Sequence, residues 1–148
     1  MTPRPPAQRK ADTLAKLRAP AADAWIASAG SDGPYLVPLS IAWLDDRVVI
    51  ALEATSRTAR NITAVGRARL GLGATRDVVM IDAALDRTVP VTEAGAVADG
   101  YAAQSDWDPR DAGAGYVFLV LRPRRIQAWR EVDELPGRLL MRGGAWLV

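Results

Sequence analysis

The sequence predicts a mainly β fold of the α+β type, an antiparallel barrel of Greek-key topology carrying two or three short helices. Three observations predict it. About six to eight short runs alternate apolar and polar residues with the strand period of two. Turn signals separate neighbouring runs, notably Ser31-Asp32-Gly33, Asp45-Asp46 and Gly143-Gly144. Long helical patterns do not alternate with these strands, which argues against a doubly wound sheet. Many short antiparallel strands in one small chain favour a barrel over a sandwich, because closure removes exposed edges.

The elements follow in order. Residues 1–10 are rich in Pro, Arg and Lys and read as a flexible tail, leaving 11–148 as a single domain. An amphipathic helix over 7–19 puts Leu14 and Leu17 on one face. Strands follow at 24–29, 34–44 and 48–53. In the second, Val37, Leu39, Ile41 and Trp43 share one face, and Leu36, Pro38, Ser40 and Ala42 the other. One side reads as core and the opposite side as a floor of small groups. Residues 56–66 form a helix, with Thr55 or Ser56 as N-cap and Gly66 as its stop. Strands 67–74 and 78–86 pair as a hairpin. In a helix over 92–103, Ala94, Val97, Ala98 and Tyr101 follow the i, i+3, i+4, i+7 pattern. After a polar loop over 105–115, a strand at 116–122 continues past Pro123 as 126–130. A last hairpin joins 138–142 to 145–148.

Composition narrows the chemistry. The chain has 148 residues, 19 basic and 17 acidic side chains, and neither Cys nor His. A chain of this length buries a core without staples. Without Cys there is no disulfide, no thiolate catalysis and no Cys-type zinc site. Without His there is no Ser-His-Asp relay and no imidazole metal site, so no metal is expected. Chemistry carried by a cofactor stays open, since the protein then need only hold and orient the reagent. No secretory-type apolar run opens the chain and no 18-residue apolar stretch occurs, so a cytoplasmic location without a membrane partner is expected.

Charge is segmented along the chain. Residues 54–76 hold Arg57, Arg60, Arg67, Arg69 and Arg76 and no acid, which reads as an anion-attracting surface or as a solvated basic face. Within this block, Thr55-Ser56-Arg57-Thr58-Ala59-Arg60-Asn61 leaves a strand and opens a helix. Free backbone N–H groups and the positive end of the helix dipole converge there. Arg57 and Arg60, three apart, are neighbours on the helix surface, and beside the hydroxyls of Ser56 and Thr58 they make a phosphate clamp. The small-residue face Pro38, Ser40, Ala42 precedes the strand that delivers the clamp. A flat ring on that floor with its phosphate in the clamp describes a flavin-type cofactor.

These residues carry a family resemblance. A short N-terminal helix, a hairpin with Val37-Pro38-Leu39-Ser40, and Ser56-Arg57-Thr58-Ala59-Arg60-Asn61-Ile62 precede the strand Ala68-Arg69-Leu70-Gly71-Leu72. The order resembles the pyridoxamine 5′-phosphate oxidase-like, FMN-binding split barrel, and within it the flavin- and deazaflavin (F420)-dependent oxidoreductases of actinobacteria. The closing segment from Arg122 to Trp129 and the late Trp146 are of the same type. The resemblance implies a homodimer of six-stranded split barrels with F420 or FMN at the subunit interface and a small-molecule substrate. It implies phosphate contacts from Ser56, Arg57, Thr58, Arg60 and Asn61, with Thr55 beside them, and ring contacts from Val37, Pro38 and Ser40. The chain departs from a true pyridoxamine-phosphate oxidase in lacking that enzyme's Arg-x-His element.

The remaining candidates have two readings each. Trp25 and Trp43 lie in strand patterns and read as core. Trp107, in the polar loop, packs against a partner or roofs the cofactor, and Trp129 packs at an interface or touches the ring. Glu53 reads as an ion-pair partner for an arginine rather than as a general base. No catalytic side chain is expected, because a hydride leaves from the cofactor's own ring. The alternative function is a non-catalytic flavin- or deazaflavin-binding or storage protein. Nucleic acid is not expected as a partner, since the 54–76 arginines lack interleaved aromatics and lie between acidic blocks.

Overall fold

The computed structural model describes residues 2–148. Helix α1 (Pro6–Arg18) leads into strands β1 (Asp23–Gly30), β2 (Gly33–Ser40), β3 (Ala42–Leu44) and β4 (Arg47–Glu53). Helix α2 (Arg57–Val65) crosses to β5 (Arg67–Leu72) and β6 (Val78–Pro90). Helix α3 (Ala96–Gln104) precedes β7 (Tyr116–Trp129), and β8 (Leu139–Arg142) and β9 (Ala145–Trp146) end the chain. The strands form one nine-stranded sheet in the order β2-β1-β5-β6-β7-β4-β3, with β8 on β7 and β9 on β8. Every pairing is antiparallel. The sheet curls without closing, and its nine strands exceed the six to eight read from the alternation and the six that the resemblance implies. The expected strand over 34–44 divides at Ile41, where the chain passes from one end of the sheet order to the other. Ile41 is buried there and donates its N–H to the Ala22 carbonyl at 2.9 Å.

Two apolar clusters hold the sheet. The first fills the inside of the curl with Ile26, Ile50, Leu70, Ile81, Leu119 and Ile126, and takes Leu17 from α1 and Ile62 from α2. The second lies on the other side of β3, β4 and β7, where Ala42, Val49, Ala51, Phe118 and Val120 meet Ala98 and Tyr101 of α3. Strand β4 is therefore buried on both faces, which is why Val48–Leu52 reads as an unbroken apolar run. The alternation expected for Val37, Leu39, Ile41 and Trp43 holds, since Ile41 and Trp43 belong to the first cluster and Val37 and Leu39 pack against it. Ala42 departs from the expected floor because α3 covers it. Burial pushes the Tyr101 phenol up to about 12, keeping it neutral as a donor to the Ser40 carbonyl at 3.2 Å.

Irregular backbone bends the two long strands. Strand β6 runs on to Pro90 and shifts register between Asp82 and Ala83 and again between Leu85 and Arg87. Opposite the first shift stands Pro123, which lacks an N–H and fits a strand best where the ladder is already broken. The helix expected over 92–103 begins only at Ala96, because Gly95 takes φ 50 and interrupts the helical backbone.

The segment expected as a tail is instead tied to the body. Arg4 forks onto Glu134 through Nη2 to Oε1 at 2.8 Å and Nε to Oε2 at 3.0 Å, and reaches Asp12 at 2.8 Å. Arg9 is buried and donates to the carbonyls of Arg4, Ala128, Glu134 and Pro136. Trp25 also differs from expectation. It is 54% exposed, because the strand period puts Ala24, Ile26 and Ser28 inside and Trp25 outside.

Candidate functional site

Helix α2 opens on Ser56, whose backbone is extended and whose Oγ accepts the Ala59 N–H at 3.2 Å. It closes on Gly66 in the left-handed region, with the Gly66 N–H returned to the Ile62 carbonyl. The N–H groups of Arg57 and Thr58 have no partner among the described residues, leaving two donors at the positive end of the helix. The β1–β2 hairpin packs beside this end. The Arg57 guanidinium lies over the Tyr35 ring, 4.6 Å from its centroid, and its Nη2 stands 3.6 Å from the Asp32 carboxylate. Asn61 donates to Ser28 Oγ at 3.2 Å. This close approach requires Gly30, where a Cβ would stand 2.3 Å from Asn61 Oδ1.

A groove runs from this corner across the outer face of the sheet as two adjoining hollows sharing Ala29, Val65 and Arg67. The hollow at α2, about 790 Å³, is lined by Arg57, Arg60, Asn61 and Arg67 with Ser31 and Asp32 of the hairpin. The other, about 760 Å³, is lined by Ala27, Ala29, Pro34, Arg69, Asp82, Ala84 and Arg124. Arg60 and Arg67 face no carboxylate within ion-pair distance among the described residues, whereas Arg69 is paired to Asp82.

Strand register builds the floor. Leu36, Ala27, Arg69, Asp82 and Arg125 form one row across β2, β1, β5, β6 and β7. Pro38, Trp25, Gly71, Met80 and Gln127 form the adjacent row. The second row is apolar over four strands, and Gly71 leaves its middle without a side chain. Leu36 is 59% exposed beside the half-exposed Trp25, so a large apolar strip flanks the groove.

Of the expected site residues, the structure brings Arg57, Arg60 and Asn61 to the groove. Asn61's amide is engaged with Ser28. Ser56 serves as the cap, Thr58 is buried beneath α2, and Thr55 is exposed in the preceding turn. Val37 packs against the first cluster rather than the groove. Pro38 lies opposite Trp25, and Ser40 Oγ reaches Asp23 at 3.4 Å. Trp107 stands in the second cluster, edge-on to Tyr101 and Tyr116 with ring centroids 6.2 and 5.9 Å away. Trp129 lies on β7 opposite Val78. Glu53 has no ion-pair partner among the described residues, and its carbonyl accepts the Ser56 N–H. The sequence reading missed Ala27, Ala29, Pro34 and Ala84 as groove lining. The pairing of small residues on successive outward positions of β1 was the available signal.

No family model matches the sequence, and no curated protein matches it. Solved structures do. An F420 reductase superposes with a TM-score of 0.63 at 20% identity, covering 76% of this chain and 93% of that one. A FAD-binding protein from Mesorhizobium loti gives 0.59 at 18% identity, over 81% and 89% of the two chains. A Listeria innocua protein of the pyridoxamine 5′-phosphate oxidase type gives 0.62 at 10% identity, over 84% and 98%. The chain has the split-barrel fold. In this split barrel the groove lies on the outer face of β1, β5 and β6, with α2 at one end. No helix of the described residues is long and apolar enough to cross a membrane.

Proposed function

We propose that this split barrel binds a flavin-type cofactor, F420 or FMN, and acts as an oxidoreductase on a small conjugated or carbonyl substrate. The observation that carries the reading is the groove itself. It joins two guanidinium groups free of acids among the described residues, Arg60 on α2 and Arg67 just past the end of that helix, to a floor of alanines and proline. Each hollow has the size typical of small-molecule sites. The donor set suits a phosphate. Arg60 and Arg67 supply unneutralised charge, and the N–H groups of Arg57 and Thr58 supply oriented dipoles. The floor suits a planar ring, since Ala27, Ala29 and Ala84 present only methyl groups.

When bound, such a cofactor supplies hydride transfer at its own ring. The chain's residues then bind and align. Arg60 and Arg67 anchor the charged end, and Val65 and Pro34 present apolar surface along the groove. Asp82 neutralises Arg69 so that the floor carries no second strong anion trap beneath the ring. With no His or Cys, no side chain is assigned as a general acid, and the matching proton comes from water or a hydroxyl. The exposed strip of Trp25, Leu36 and Pro38 beside the groove supports a homodimer in which a second copy covers this face and closes the site.

The test is the visible spectrum of the purified protein, then titration with F420 and FMN and turnover of the reduced cofactor with enone and carbonyl acceptors. Binding with turnover is expected. Binding without turnover across the acceptors favours the storage reading, and failure to bind either cofactor removes both. Sedimentation of the cofactor-loaded protein at micromolar concentration is expected to give the mass of a dimer.

A further inference from the structure

Arg57 is the one arginine at the phosphate end of the groove that already faces an anion. Its Nη2 stands 3.6 Å from Asp32, which lines the same hollow, while Arg60 and Arg67 are free of acids among the described residues. Asp32 is 81% exposed and Arg57 is its ion-pair partner. It sits in the two-residue loop Ser31-Asp32 closed by the Gly30–Gly33 pair, with Gly33 at φ 97. Turn chemistry explains a short polar residue there, and Asn would serve as well. What Asp adds over Asn is a negative charge aimed at the clamp.

We infer that Asp32 acts as a resident anion on Arg57 that an incoming phosphate must displace, so that Asp32 sets the affinity of the clamp for a phosphate-bearing ligand. The inference rests on the groove being the cofactor site proposed above. A phosphate dianion brings twice the charge of the Asp32 carboxylate and three acceptor oxygens, so it reaches Arg57, Arg60 and the free N–H groups together. Arg57 need not travel to be released. Its guanidinium also rests over the Tyr35 ring, 4.6 Å from the centroid, a contact that does not depend on Asp32, so the acid on the hairpin can be the group that moves.

The experiment measures FMN, F420 and riboflavin binding to the full chain and to Asp32→Asn, Arg57→Ala and the double variant. Riboflavin lacks the phosphate and reports on the ring site alone. Asp32→Asn keeps the turn and removes the charge. It is expected to tighten FMN about two- to fivefold, the range of an exposed ion pair, and to leave riboflavin unchanged. Acetate competition against FMN is expected to strengthen in Asp32→Asn. In the Arg57→Ala background the Asp32 effect is expected to vanish. Unchanged or weaker FMN binding in a folded Asp32→Asn protein overturns the inference, as does equal tightening of riboflavin or an effect that survives Arg57→Ala. Those outcomes leave the cofactor reading standing. Failure of the unmodified chain to bind either FMN or F420 overturns that reading and this inference with it.

Discussion

Glu134→Gln tests whether the N-terminal segment is a fixed part of the fold. Glu134 is 2% exposed, and its carboxylate accepts from the Arg4 side chain and from the backbone N–H groups of Arg4 and Arg130. The Arg4 guanidinium holds its carboxyl down from 4.5 to about 2, against burial, which pushes the other way. A group whose folded value is depressed stabilises the fold above its unfolded value and loses that stabilisation as pH falls through the folded one. The shift corresponds to about 3 kcal/mol, present in full above about pH 5 and lost toward pH 2. Gln keeps the shape and one carbonyl acceptor but turns an NH₂ toward Arg4. Breaking a buried pair typically costs about 3–5 kcal/mol, and the retained acceptor lowers this to about 2–4. For a chain of this size the melting temperature should fall by about 5–15 °C. Urea denaturation of both proteins at pH 7 and pH 3 checks the reasoning, since the stability gap should narrow at the lower pH. A variant within about 0.5 kcal/mol of the parent at pH 7 would refute the buried-pair account. So would a gap that does not change with pH.

Three further outcomes follow from the site and its supports. Arg60→Ala removes one charge-assisted partner and should weaken FMN about 10- to 150-fold while sparing riboflavin, read by fluorescence titration. Gly30→Ala forces the Asn61 amide off Ser28 and should destabilise the protein by about 1 kcal/mol. Asn61→Ala in that background should add little, and fully additive losses in thermal melts would count against the clash. Gln104→Ala removes the amide that accepts from the Trp43 N–H and donates to the carbonyls of Leu17 and Ala19. A loss of about 1–3 kcal/mol in denaturant titrations is expected, because three backbone groups at the junction of α1, β3 and α3 lose their partner.

What the sequence made legible was local. Period-two alternation located the strands and the inward side of β2, and cap chemistry located α2 and its arginines. Neighbour relations in the sheet were not legible. Residues Pro38 and Ser40 have the outward parity expected of a groove floor, yet they lie on β2, at one end of the sheet order. The floor belongs to β1, one strand inward, because the α2 crossover delivers β5 against β1. Trp25 was misjudged for a related reason. A large indole in a strand pattern reads as core, but parity alone decides its side, and Ala24 and Ile26 had already claimed the inside. The tail was misjudged because its arginines look solvated until Glu134, 130 positions from Arg4, supplies a buried acid.

The same register explains why binding and assembly fall on one face. Strand β4 and the first half of β7 are covered on both sides, by the barrel interior and by α3. Strands β1, β2 and β5 are covered only on the inside, so their outward rows carry the exposed surface available for a ligand or a second copy. One row bears the Arg69–Asp82 pair and the alanine floor, and the next bears Trp25, Pro38 and Met80. A charged substitution in the apolar row therefore separates the two roles. Trp25→Glu should abolish dimerisation in sedimentation while leaving the α2 clamp chemically intact. If the cofactor site needs the second copy, affinity for FMN and for riboflavin should fall together, because the lost wall touches the ring end. Loss of FMN affinity with riboflavin unchanged would instead mean that the apolar row bears on the phosphate end, and the division of the face argued here would be wrong.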